Sequence, residues 1–172
     1  MYHTSLTDSL LTLSNLLETL DITKMTKKYS LTKNTKVWCG ITLFQIKAEI
    51  SFGSLVKGEL GGYIEKESNL DMSGNAWVSG NAWVSGDAQV SGNAWVYGNA
   101  WVSGDAQVSG NAQVSGDALV YGDARVSGNA WVYGNALVYG NARVYGNAQV
   151  SGNARVSGEF IVTGKQIGRA HV

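Results

Sequence analysis

The chain has 172 residues, with 13 basic and 13 acidic side chains and a net charge of zero. That balance gives a nucleic acid or other polyanion no electrostatic footprint, so no nucleic-acid partner is expected. Glycine is high at 22 residues, recurs on a strict six-residue period from Gly74, and with no proline marks an ordered repeat and excludes a flexible linker. One domain with a small appendage is expected at this length. Cys39 is the single cysteine and can form no internal disulfide, which fits a reducing compartment. No apolar run approaches the ~20 residues that span a bilayer, and the N-terminus lacks a secretory signal. The expectation is therefore a cytoplasmic protein with no membrane partner.

Residues 1–24 place Leu6, Leu10, Leu13, Leu17 and Leu20 at alternating spacings of four and three, which is one face of a helix. About two heptads make a marginal coiled coil. The segment reads either as a short docking helix or, preferably, as a stretch outside the native protein, with Met25 as the true start. Residues 25–67 are expected to form a small β cap. Tyr29–Leu31, Val37–Trp38 and Ile41–Ile46 are strand-like, and Phe52-Gly53-Ser54 and Gly61-Gly62 punctuate them. Residues 68–163 are the repeat. Residues 164–172 form a tail whose last six residues, Ile167–Val172, spell a peptide encoded by a common sequencing adapter. The tail is expected to be an artefact, with the native chain continuing past Gly164.

From Gly74 each hexad runs Gly-(Asn/Asp)-Ala-Xaa-Val-(Ser/Tyr). Ala and Val are two apart and share one face of a strand, while Xaa and Ser/Tyr share the other. Gly and Asn/Asp tolerate left-handed backbone at a corner. Each hexad is thus expected to be a four-residue strand and a two-residue turn. A meander of such strands would leave an uncovered Ala/Val face, whereas a parallel coil buries it. The Xaa residues decide, because from Trp77 they read W W Q, W W Q, Q L R, W L R, Q R I. They recur every third hexad, so the unit is an 18-residue, three-sided coil with equivalent residues stacked ~4.8 Å apart. The predicted fold class is all-β, a single-stranded parallel β-helix with an N-terminal β cap.

Val-Ser-Gly-Asn-Ala-Xaa resembles the hexapeptide repeat of left-handed parallel β-helices, and the left hand is implied by that resemblance alone. Leu43–Leu70 resembles the N-terminal cap of a bacterial and phage group commonly labelled as acetyltransferases. Related prisms usually trimerise, so the resemblance also implies a homotrimer.

The coil sorts the surface into three faces. The first stacks Trp77, Trp95, Gln113, Trp131 and Gln149, with Tyr97 and Tyr133 alongside. The second stacks Trp83, Trp101, Leu119, Leu137 and Arg155, with Tyr121 and Tyr139. The third stacks Asp71, Gln89, Gln107, Arg125, Arg143 and Ile161. Contiguous exposed aromatic area points to an interface, with self-association first and a protein or glycan partner next. The alternative is that ladders of like side chains stabilise only the prism. Trp77 and Trp83 are the residues expected first to touch something. The Asp87, Asp105 and Asp123 column could hold a hard cation, but corner residues accepting backbone hydrogen bonds suffice, and no metal is expected.

Catalysis needs a titratable group in a cleft. The chain has only His3 and His171, and no loop interrupts Gly74–Ser157. No catalytic residue is assigned, and Cys39 lacks a base partner. The expected function is a non-enzymatic structural or binding scaffold without cofactor. The alternative is a truncated relative of the hexapeptide-repeat acyltransferases, which would use acetyl-CoA.

Overall fold

The computed structural model describes residues 27–164 and 166–168. The Leu-rich segment 1–24, His3 and His171 lie outside the described residues.

Three antiparallel-paired strands come first among the described residues. Strand β1 (Tyr29–Trp38) and strand β2 (Ile41–Ala48) form a hairpin, and strand β3 (Leu60–Ile64) adds to the far edge of β2. The hairpin turn is Cys39-Gly40, with φ of 47° and 82°, which is the left-handed pair that a two-residue primed turn requires. The other side of β3 pairs in parallel with the rung at Trp83–Val84, Tyr63 opposite Trp83. The parallel ladder therefore begins at Tyr63-Ile64, ahead of residue 68, where the hexads suggested its start.

From there the chain winds as a three-sided parallel β-solenoid. The first face has six rungs, the last being Gln166–Gly168, opposite Gln149–Ser151. Six rungs span roughly 24 Å at the normal strand spacing. The register pairs residues 18 apart, as in Gln113↔Trp131, Leu119↔Leu137 and Arg125↔Arg143. Every repeat Ala from Ala76 to Ala154 and every repeat Val from Val78 to Val156 is fully buried. Small inward side chains are what a coil of this perimeter can hold at native packing density.

The rungs are shorter than the expected four residues. Most are the two residues Xaa-Val, because Ala and Ser/Tyr sit where the chain bends toward the next face. Hydrogen bonding nonetheless runs through the bends. Asn93 N donates to Gly110 O at 2.7 Å, Trp95 N to Ala112 O at 2.9 Å, and Tyr97 N to Val114 O at 2.9 Å. Each repeat glycine at a corner has φ between 62° and 73°. An ideal Cβ on Gly116 would lie 3.0 Å from both Gly134 N and Gly134 O. Glycine is therefore required twice over, by its dihedral and by the backbone of the next coil.

The first coil is wider than the rest. Residue numbers differ by 20 in the pairs Ile64↔Val84 and Leu70↔Val90, and by 18 in Trp77↔Trp95. The extra two residues are Met72-Ser73, between Asp71, whose N–H still donates to Val90 O, and Gly74, below Gly92. Asp71 does not head the third column as expected, because Leu70 takes the inward position opposite Val90. Instead the Asp71 carboxylate accepts the Ser73 N–H at 3.0 Å and the Ser73 hydroxyl at 2.8 Å, closing the extra bend. The buried Asn69, in a short 3-10 turn at Glu67–Asn69, donates to Gly86 O and Ala88 O and accepts from Lys66 N. It supplies the donors that the 3-10 turn would otherwise leave missing beneath Gly86 and Ala88.

Candidate functional site: the aromatic faces

The columns stand as expected on the first two faces and, from Gln89 onward, on the third, but the cap covers the lower ends of the first two. Trp77 is 1% exposed, so it presents nothing to a partner. Phe52 and Tyr29 meet it edge-on, at 5.5 and 6.4 Å between ring centroids. Its indole N–H has no acceptor there. That loss costs about 1–3 kcal/mol, against roughly 4–6 kcal/mol from burying an indole of this area. Gly61 and Gly62 let β3 pass over it. A Cβ on Gly61 would lie 2.5 Å from Ile46 Cγ1 and 2.7 Å from Trp77 Cζ2.

Trp83 is likewise occupied from within the chain. The tip of the β1–β2 hairpin folds down the second face, and Trp38 packs edge-on against Trp83 and Trp101 at 5.5 and 6.0 Å. Trp83 and Trp101 lean on one another at 5.2 Å. Lys36 anchors the tip, with Nζ 4.0 Å from the Tyr63 ring centroid and a 3.3 Å hydrogen bond to Asn81 Oδ1. Trp38 was not among the residues expected at the aromatic surface. Its signal was present in principle, as a tryptophan beside a tight turn.

Further from the cap the aromatic groups remain at the surface. On the second face Tyr121 and Tyr139 stack in parallel, 5.1 Å apart at 7°, above half-buried Leu119 and Leu137. On the first face Trp131, 39% exposed, tilts against Tyr133 at 4.8 Å. Trp131 donates its indole N–H to Ser115 Oγ at 3.3 Å, as Trp101 does to Ser85 Oγ at 3.4 Å. Both serines are buried beneath those indoles. Half-buried Trp95 and Tyr97 lie one rung above Trp77, and the Tyr97 hydroxyl donates to Gln113 Oε1 at 3.2 Å.

The corners differ in polarity. The corner entering the first face is an asparagine ladder, Asn75, Asn93, Asn111, Asn129 and Asn147, each amide donating to the next at 3.0 to 3.1 Å. The corner entering the third face carries Asp87, Asp105 and Asp123. Asp87 pairs with Lys66 at 2.6 Å, and this pairing holds its carboxyl below the usual carboxylate range. Asp105 and Asp123 are exposed, and among the described residues neither forms a salt bridge, although Arg125 and Arg143 share their side of the prism. Among the described residues no three His, Cys, Asp or Glu side chains gather as a ligand set. No helix among the described residues is long and apolar enough to cross a membrane.

This arrangement is that of a parallel β-solenoid repeat protein, whose coil is the structural unit. Residues 88–104 and a set of overlapping windows across 106–164 match the family model described as the YdcK beta solenoid repeat. From 106 to 136 successive windows start six residues apart, so any hexad can open the matched coil. No curated protein matches the chain.

Proposed function

We propose that this protein is a non-enzymatic structural solenoid that works by presenting aromatic surface at fixed spacing. The ladder bonds of each rung are complete without the outward rings, yet Trp95, Tyr97, Trp131 and Tyr133 on the first face and Tyr121 and Tyr139 on the second stay at the surface. That placement is the observation that carries the proposal. The cap takes up Trp77, Trp83 and Trp101, so the working surface is the upper part of the prism.

The two exposed groups differ in chemistry. Around the stacked Tyr121–Tyr139 pair the neighbours are Leu119 and Leu137, an apolar patch suited to a second copy of the chain. Around Trp95 the neighbours are amides and hydroxyls, which suit a polar partner. Self-association is thus assigned to the second face and partner binding to the first.

Sedimentation equilibrium of the full chain tests this assignment. The wild-type protein should be an oligomer at micromolar concentration, and Tyr121→Ser/Tyr139→Ser should dissociate it without lowering the unfolding free energy of the protomer by more than about 1 kcal/mol. A wild-type monomer, or a variant with unchanged mass, would remove self-association from the proposal. Turnover of acetyl-CoA by the purified protein would overturn the non-enzymatic reading.

A further inference from the structure

The first face holds a cleft of about 490 Å³ lined by Ser79, Asn93, Trp95, Tyr97, Asn111 and Gln113. None of the six carries a charge. Trp95 forms a flat apolar wall, packed at its base on the core. The Asn93 amide is tied to Asn111 at 3.1 Å, and the Tyr97 hydroxyl to Gln113 at 3.2 Å, so their polar groups are held in place along the rim.

One detail separates Trp95 from its equivalents. Trp101 and Trp131 each donate the indole N–H to the serine sixteen residues earlier, Ser85 and Ser115. The corresponding serine for Trp95 is Ser79, which lines the same cleft. Among the described residues the Trp95 indole N–H and the Ser79 hydroxyl make no side-chain hydrogen bond to each other, although the equivalent pairs do. The cleft thus combines an aromatic platform, two available donors and a fixed row of amides, with no ionic group.

We propose that this cleft is a subsite for a neutral saccharide ring. A pyranose has an apolar C–H face, which stacks on an indole, and a rim of hydroxyls, which both donate and accept. Amides and hydroxyls match that rim, because each also donates and accepts. An anionic ligand would find no cation in the cleft, and a purely apolar one would leave the Trp95 indole N–H and the Ser79 hydroxyl without partners. The inference rests on the first face being a binding surface, as proposed above. It adds the class of ligand.

The test is affinity electrophoresis of the full chain through gels containing a neutral glucan, a neutral mannan or a neutral N-acetylglucosamine polymer, with a polyuronate as the charged comparison. At least one neutral polymer should retard the protein and the polyuronate should not. Trp95→Ala should weaken retardation by about tenfold or more, a loss equal to one aromatic stacking contact. Because Trp95 also packs on the core, Gln113→Ala, at an exposed position, and Tyr97→Phe, which keeps the ring, serve as further variants, each expected to weaken retardation about three- to tenfold. Gln107→Ala, at an exposed position on the third face, should leave it unchanged.

Retardation by none of the neutral polymers, by the polyuronate alone, or undiminished in all three cleft variants would overturn the saccharide proposal. Sedimentation of the same cleft variants separates the two levels of failure. If they lose self-association while the wild type binds no saccharide, the first face is a binding surface for a second copy, and only the ligand class falls. If they change neither property, the first-face reading falls with it.

Discussion

At the residue scale the solenoid depends on what each corner column tolerates. Gly116, with φ of 67° and the next coil's backbone 3.0 Å from where a Cβ would sit, has room for no other residue. Gly116→Ala is expected to cost about 1–3 kcal/mol, from the left-handed dihedral and the close contact together. A urea midpoint equal to wild type would show that the coils can separate locally. The aspartate corner makes the opposite prediction. Asp105 and Asp123 are like charges one rung apart, whereas Asn99 donates to Asp117 Oδ1 at 2.9 Å at another corner. Asp105→Asn would let the new amide donate to Asp123 in the same way. A gain of about 0.5–1.5 kcal/mol is expected, larger at low salt. A lower midpoint would mean that the carboxylate of Asp105 has a role that the fold does not explain.

At the element scale the cap is the part whose chemistry is sensitive to pH. Lys28 is buried, with Nζ donating to Ala76 O and Ser73 O at 3.1 and 3.2 Å. Desolvation lowers its pKa to about 8, with the nearby Asp71 opposing the shift. The unfolded chain then binds the extra proton between about pH 8 and the ordinary lysine value, so stability rises with pH across that window. The Tyr29 hydroxyl, buried and donating to Glu67 O and Leu70 O at 2.8 Å each, is shifted upward by desolvation and then by Glu67 and Asp71. Above about pH 10 the unfolded chain releases that proton first, and stability falls. Denaturant midpoints measured from pH 7 to 11 should pass through a maximum between about 10 and 10.5, where the lysine gain and the tyrosine loss cancel. The rising limb should vanish in Lys28→Met, and a midpoint that is flat or falling between about 7.5 and 9.5 would contradict the placement of Lys28. The seam between cap and coil is tightest at Gly61. Gly61→Ala should cost about 2–4 kcal/mol, because backbone, Ile46 and Trp77 all stand in the way of a methyl group.

At the scale of the whole molecule, the solenoid was legible because three periods nest in the sequence. The alternation of two sets which residues face inward, the hexad sets the corners, and the eighteen-residue recurrence sets the stacking. Pairs such as Gln113↔Trp131 follow from counting. What could not be counted was non-local. Trp38 precedes Trp83 by 45 residues, and no period links them, so the hairpin that folds over the second face left no trace in the repeat. Trp77 heads a regular column and looks like any exposed rung until Tyr29 and Phe52 are placed on it. The wide first coil was hidden for a similar reason, because Ser68–Ser73 reads as a degenerate hexad and the insertion inside it does not show. The candidate surface was therefore legible as a set of columns, but not in which rungs remain available.

Hydroxyl-radical footprinting, read by mass spectrometry across a range of protein concentrations, addresses the central claim directly. The account predicts that Trp77 is protected at every concentration, that Trp131 is readily modified in dilute protein, and that Tyr121 and Tyr139 lose reactivity as concentration rises. Trp77 modified as fast as Trp131, or Tyr121 and Tyr139 equally reactive at all concentrations, would contradict it.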